Sequence, residues 1–123
     1  MTTGRVEAIA AAIEAATGAA LIADPSVVVR LLIGAGLSDG GLPIGRVCGF
    51  ALLSLGLACR PSRTVVTAQV AWALLTYNLL TALYLGYLGV LAGFSGYLLW
   101  PACVLHAVLA LLLTRSLVVP AAR

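Results

Sequence analysis

The fold is decided by residues 64–114, which read TVVTAQVAWALLTYNLLTALYLGYLGVLAGFSGYLLWPACVLHAVLALLLT. These 51 residues contain no acidic or basic side chain when His106 is neutral. A compact soluble domain with so long an uncharged stretch would expose large apolar patches. Because a helix needs about 20 mostly apolar residues to cross the hydrocarbon of a bilayer, the stretch has room for two spans.

The composition of the whole chain also indicates that lipid surrounds most of it. Of the 123 residues, 63% are hydrophobic and only 9% are charged, with a mean hydropathy of +1.14. Soluble domains carry about 25% charged residues. The seven cations are all arginine and form no cluster, whereas a nucleic-acid interface needs clustered cations. The composition excludes a soluble enzyme, a disordered tail and a nucleic-acid-binding domain, and it leaves an integral membrane protein whose first partner is the lipid bilayer.

Four segments have the length and composition of membrane spans. Backbone groups in lipid must be paired internally, and the chain is far too short for a barrel. We therefore predict a single all-α domain, a bundle of four transmembrane helices at residues 3–22, 42–59, 65–89 and 96–119. A short interfacial helix at residues 25–33 follows the first span, because Asp24 suits a helix cap and Pro25 a first helical position.

The first segment allows two interpretations. Glu7 and Glu14 share one face, and a different face carries small residues suited to close helix packing, namely Ala8, Ala12, Ala16 and Ala20. A helix of this kind fits inside a bundle, which is the interpretation we favour. The alternative is an amphipathic helix lying on the membrane surface. In the second span, Gly45 and Gly49 have the spacing of close helix approach, either within the bundle or between two copies of the chain.

The arginines predict the orientation of the bundle. Four spans place five arginines on one side (Arg5, Arg60, Arg63, Arg115 and Arg123) and two on the other (Arg30 and Arg46). The positive-inside rule then predicts that both termini are cytoplasmic. Arg115 is placed to extend its charge to the interface, and Trp100 belongs to the interfacial aromatic belt.

Three polar side chains from three spans are expected at one depth. Glu14, Asn78 and His106 each fall near the middle of a predicted span, and Tyr77 adds a hydroxyl group beside Asn78. Polar groups are costly at this depth, so Glu14 should be neutral or paired with a protonated His106. These residues predict a protonatable centre that binds a small polar ligand or the head of a quinone. In the structural alternative, Asn78 and His106 only hydrogen-bond across a helix pair.

Motifs of catalysis and metal binding are lacking in the sequence. No nucleophile stands at a readable spacing from a general base, and HExxH is absent. Cys48, Cys59 and Cys103 are widely spaced and show no metal-binding pattern. We predict no enzymatic activity, no cofactor and no metal.

Several stretches resemble small uncharacterised bacterial inner-membrane proteins. The stretches are Arg30–Gly34, Gly45–Leu57, Tyr77–Asn78, Trp100–Pro101 and His106. The predicted helical plan is similar to that of the DoxX-like four-helix group. The resemblance implies a location in the bacterial inner membrane. Some DoxX-like proteins are accessory subunits of quinone-linked oxidoreductases, which would fit a site at mid-membrane depth.

Two functional hypotheses follow from these observations. The first is a non-catalytic accessory or assembly subunit of a larger membrane complex, with protein partners in the membrane or other copies of the chain. It accounts for the small-residue faces and the lack of catalytic motifs. The alternative is a small quinone-binding or proton-coupled carrier module that uses Glu14, Asn78 and His106. A homo-oligomeric channel ranks last, because no polar stripe is long enough to line a pore.

Overall fold

The computed structural model describes residues 3–59 and 68–118, and these residues form five α-helices and no strand. The helices are α1 (Thr3–Ala23), α2 (Pro25–Ile33), α3 (Gly41–Ala58), α4 (Ala68–Val90) and α5 (Leu99–Val118). All except α2 are long and apolar enough to cross a membrane. The predicted all-α bundle of four membrane-spanning helices, with a short helix after the first, is confirmed. The fourth span begins at Leu99 rather than at Gly96, and residues 65–67 and 119 of the predicted spans lie outside the described residues.

Local signals account for both ends of α2. The Asp24 carboxylate accepts hydrogen bonds from the backbone N–H groups of Ser26 (3.0 Å) and Val27 (3.1 Å), and Pro25 occupies the first turn. At the other end Gly34 adopts φ = 80°, a left-handed conformation that favours glycine, and its N–H donates to the carbonyl of Arg30. The helix therefore begins where the Asp–Pro pair predicts.

Glycines bring α1 and α3 into backbone contact. A Cβ atom added at Gly56 would lie 2.6 Å from both the carbonyl oxygen of Ala11 and the amide nitrogen of Ala15. A Cβ added at Gly49 would lie 2.8 Å from the carbonyl oxygen of Gly18. Gly45 packs against the Pro25 ring in the same way, at 2.7 Å. The glycine spacing predicted in the second span thus serves packing within the chain.

The predicted small-residue ridge of α1 lies on the wrong face to make this contact. Ala8 is half-buried, and Ala12, Ala16 and Ala20 are exposed. At 3.6 residues per turn, these alanines lie roughly opposite the face that carries the two glutamates. The glutamates point into the bundle, so the ridge does not form the contact between α1 and α3, and its packing against another helix stays a prediction. The residues of α1 that meet the α3 glycines are Ala11, Ala15, Gly18 and Ile22.

The bundle consists of the α1–α3 pair and the α4–α5 hairpin, with α1 also contacting both helices of the hairpin. Two apolar clusters fill the interior. The cluster at the end where α1 begins, here called the N-side cluster, contains Val6, Ala10, Ala11, Cys59, Leu74, Leu75, Leu109, Ala110 and Leu113. The cluster at the opposite end, the far-side cluster, contains Leu85, Leu88 and Leu99 and is covered by Leu32 and Ile33 of α2.

The outer surface is apolar along every long helix. Phe50 of α3, Leu80 of α4 and Val104 of α5 are among many large hydrophobic side chains that are more than half exposed. Such a surface suits lipid and would aggregate in water. The glutamates of α1 point inward, whereas a helix lying on the membrane surface would direct its charges to water. The arrangement therefore favours α1 as a span.

The predicted interfacial residues lie on the surface of the bundle. Arg30, Arg46 and Arg115 are exposed, with Arg115 in the last turn of α5. Trp100 is half exposed and packs over Gly89, where an added Cβ would lie 2.9 Å from the indole ring. Arg60 and Arg63 lie outside the described residues.

Candidate functional site

Four polar or charged side chains are buried in the described part of the chain. Their exposed fractions are 1% for Glu7, 0% for Glu14, 0% for Asn78 and 8% for His106. Three of them are the residues that the sequence predicts at mid-membrane depth, and the structure brings these three together. We call Glu14, Tyr77, Asn78 and His106 the midplane cluster. It joins α1, α4 and α5 at the centre of the bundle.

The amide of Asn78 fixes the orientation of the imidazole. Its Nδ2 donates to the carbonyl oxygen of Leu74 one turn earlier in α4, at 2.9 Å. This bond directs Oδ1 of Asn78 towards α5, where it lies 2.7 Å from Nδ1 of His106. A carbonyl oxygen only accepts hydrogen bonds, so Nδ1 carries the proton and donates it. The Nε2 atom is then the position at which the ring gains or loses a proton.

Glu14 lies beside the hydrogen bond between Asn78 and His106 but forms no hydrogen bond with the described residues. Its Oε1 lies 3.9 Å from Nδ1 of His106, which is beyond hydrogen-bond distance. Both carboxyl oxygens are buried, and neither has a hydrogen-bond partner within the described residues. An unsatisfied buried polar group costs about 1–3 kcal/mol, and more when it is charged. Ionisable residues retained at this cost inside a membrane bundle indicate a functional site.

Tyr77 forms one wall of the cluster. The tyrosine ring is half-buried and stands edge to face against the imidazole of His106, with ring centroids 5.8 Å apart and planes at 78°. This packing supports the orientation of the imidazole from a second direction. Glu14, Tyr77 and His106 are the titratable groups of the cluster, and Asn78 supplies fixed hydrogen bonds.

The arrangement can store a proton in two ways. With a neutral acid and a neutral imidazole, Nδ1–H donates to Asn78, as the distances show. When His106 gains a second proton and Glu14 loses its own, the same Nδ1–H lies between two acceptors, and a small movement would bring it to the carboxylate. Two interacting ionisable groups of this kind titrate as a unit. In the ranges 3–59 and 68–118, no group of three or more His, Cys, Asp or Glu residues is placed to hold a metal ion.

Glu7 is a buried acid that the sequence interpretation left outside the site. Its Oε1 has no hydrogen-bond partner among the residues described. The available signal was its spacing of seven residues from Glu14, which puts both acids on one face of α1. The three cysteines show no sign of chemistry: Cys48 is exposed, Cys59 lies in the N-side cluster, and Cys103 donates to the carbonyl of Ala82 at 3.4 Å.

An apolar groove runs along the outer face of α4 and α5. Its volume is about 470 Å³, and its lining includes Leu79, Leu83, Cys103 and Leu111. The residues that line it include none of the midplane cluster. The groove therefore belongs to the lipid-facing surface and not to the polar site.

The fold and the site together define a multi-pass membrane protein with a buried acid–amide–imidazole cluster. Comparison of the chain with models of known protein families, with curated proteins and with solved structures finds no match.

Proposed function

We propose that the protein is a small proton-coupled carrier module, and not an enzyme, in which the midplane cluster takes up and releases a proton. The Glu14 carboxyl carries this proposal, because it is fully buried, lacks a hydrogen-bond partner among the described residues and lies 3.9 Å from His106. Two ionisable groups this close titrate as a unit, so the pair can take up and release one proton, with His106 exchanging it at Nε2. Intramembrane acid and histidine side chains typically mark proton pathways.

The groove on α4 and α5 gives no support to a quinone as the species bound. A quinone needs an apolar channel for its tail that leads to polar groups for its head. The groove offers the apolar surface, but no midplane residue is part of its lining.

We also propose that the protein lies in the bacterial inner membrane with both termini in the cytoplasm. Support comes from the exposed Arg5 and Arg115, which lie at the end of the bundle where α1 begins. Arg30 and Arg46 lie towards the other end, where Asp24 and Asp39 offset their charge. The resemblance to DoxX-like proteins supports the same membrane.

Proton exchange is tested with the purified protein in lipid vesicles. Infrared difference spectra between acidic and alkaline buffer should show the carbonyl absorption of protonated buried acids, and Glu14→Gln should remove the part that Glu14 contributes. A pH-sensitive dye in the external buffer should report proton uptake by the protein after an acid pulse, and this uptake should be lost in Glu14→Gln and in His106→Leu. Asp39→Asn, at an exposed acid, is the matched control and should behave as wild type. If the cluster only stabilised the fold, the variants would have a lower unfolding temperature and unchanged proton uptake.

An accessory or assembly subunit is the second candidate, and the exposed alanine ridge of α1 favours it. Ala12, Ala16 and Ala20 are exposed at membrane depth, where small residues let a helix of another protein approach closely. Ala16→Leu should then abolish co-purification of a partner from native membranes. Ala73→Leu, at an exposed alanine of α4, should leave it intact. Co-purification that is equal in both variants would count against this role.

A further inference from the structure

We infer that Glu7 is a second proton-carrying residue, which connects Glu14 to the side of the membrane where α1 begins. This inference rests on the proposed function, since it assigns a route to the proton that the midplane cluster binds. It concerns a buried acid that the cluster itself does not include.

Helix geometry places the two acids on one line. Seven residues are close to two turns, so Glu7 and Glu14 lie on the same face, about 10.5 Å apart along the axis at 1.5 Å per residue. Glu7 is four residues from the first residue of α1, or about 6 Å. It therefore stands between the midplane cluster and the surface of the bundle.

The buried polar side chains lead to one end of the bundle and not to the other. From Glu14 towards the start of α1, the next buried polar group is Glu7. In the other direction, no further polar side chain is buried among the described residues, and the far-side cluster of Leu85, Leu88 and Leu99 fills the interior. On α1 itself, the residues that follow Glu14 on this face are Gly18 and Leu21, which cannot carry a proton. The buried polar side chains therefore extend from Glu14 towards one side of the membrane, the side where α1 begins.

The space between the two acids is filled by apolar side chains of the N-side cluster. Ala10 and Ala11 lie between them on the buried face of α1, and Leu74 and Leu113 belong to the same cluster. A distance of about 10 Å is too long for direct transfer, so the proton moves through water molecules that enter when these side chains briefly separate. When Glu14 releases its proton to this water, a proton passes from the water to the Glu7 carboxylate. Uptake reverses these two steps, and no electron is transferred.

The other charged and titratable groups near this route are few. Cys59, at the end of α3, is buried in the N-side cluster. On α4 and α5, the titratable groups that face Glu14 are Tyr77 and His106, and Arg115 is exposed on the last turn of α5. Arg5 lies on α1 itself and is exposed. Among the described side chains, Glu7 is thus the buried acid between Glu14 and the surface.

A one-sided pH jump tests the route. The full chain is reconstituted in one orientation in phosphatidylethanolamine–phosphatidylglycerol vesicles, and the infrared band of the Glu14 acid is followed after the external pH changes. In wild type, the band should respond quickly when the α1 start faces the jump. It should respond slowly in the opposite orientation. In Glu7→Gln the fast response should slow by about a hundredfold, the typical contribution of a positioned proton-transfer group.

Two further variants complete the test. Glu7→Asp keeps a carboxyl group and should restore part of the rate, whereas Asp39→Asn should respond like wild type. If Glu14 responds but Glu7→Gln is as fast as wild type, or if the fast side is the far side, the route through Glu7 is wrong and the proton-binding cluster stands. If the wild-type Glu14 band does not respond to pH from either side, both the route and the proposed function are wrong.

Discussion

Replacing Gly56 by alanine tests whether α1 and α3 meet backbone to backbone. The new Cβ would lie 2.6 Å from the Ala11 carbonyl oxygen and the Ala15 amide nitrogen, whereas ordinary contacts begin near 3.4 Å. The two helices must separate by the difference, about 0.8 Å, because no side-chain rotation relieves contacts with backbone atoms. Overpacking of this kind costs about 1–3 kcal/mol, and the higher helix propensity of alanine offsets up to about 1 kcal/mol. We expect Gly56→Ala to lower the free energy of unfolding by about 1–2 kcal/mol.

The measurement is equilibrium unfolding in mixed micelles, with helicity followed by circular dichroism. Gly86→Ala in α4 is the matched control, because its new Cβ would meet only the Cys103 sulfur, at an ordinary 3.8 Å. This variant should be as stable as wild type or more stable. Equal stability of the two variants would refute the close approach of α1 and α3 at Gly56.

Three further predictions concern the midplane cluster and α2. A double-mutant cycle of Asn78→Leu and His106→Leu should give a coupling free energy of about 0.6 kcal/mol in unfolding experiments, and no coupling would argue against the bond between these residues. Nitrogen-15 NMR of neutral His106 should show the proton on Nδ1, and a proton on Nε2 would contradict the role given to Asn78. Asp24→Ala removes two hydrogen bonds at the start of α2 and should destabilise this helix by about 1 kcal/mol, so amide exchange at Ser26 and Val27 should speed up while that of α5 stays constant.

The helices could be predicted because membrane spans depend on properties that a sequence states directly. The uncharged run from Thr64 to Thr114 contains α4 and most of α5, and the Asp24–Pro25 pair marks the start of α2. Length, apolarity and cap residues can be recognised in the sequence without knowing which helices pack against each other. The start of α5 differs from the prediction because residues 96–98 are apolar enough to continue the helix but form a connection that contacts α2, where the Leu98 N–H donates to the Leu31 carbonyl.

The common depth of the polar residues could be predicted from the sequence, whereas the residues through which α1 packs against α3 could not. Counting residues from the span ends placed Glu14, Asn78 and His106 at one level, and the structure joins them. The direction in which α1 turns depends on the glycines of α3, which receive Ala11 and Ala15 and leave Ala16 outside. For this reason the sequence did not identify Ala11 and Ala15 as the residues of α1 that pack against α3. A single helix with two distinct faces does not reveal which one its neighbours will cover.

The burial of Glu14 against α5 has a consequence for how the protein is made. The ribosome completes α1 long before α5, since 92 residues separate Glu14 from His106 (106 − 14). Until then the acid has no imidazole beside it, and a charged side chain at the bilayer centre costs roughly 2.5–3.5 kcal/mol on insertion scales. The alanine-rich α1 gains little from lipid to offset this cost. Although α1 is synthesised first, Glu14 therefore reaches its final surroundings only after α5 has been made.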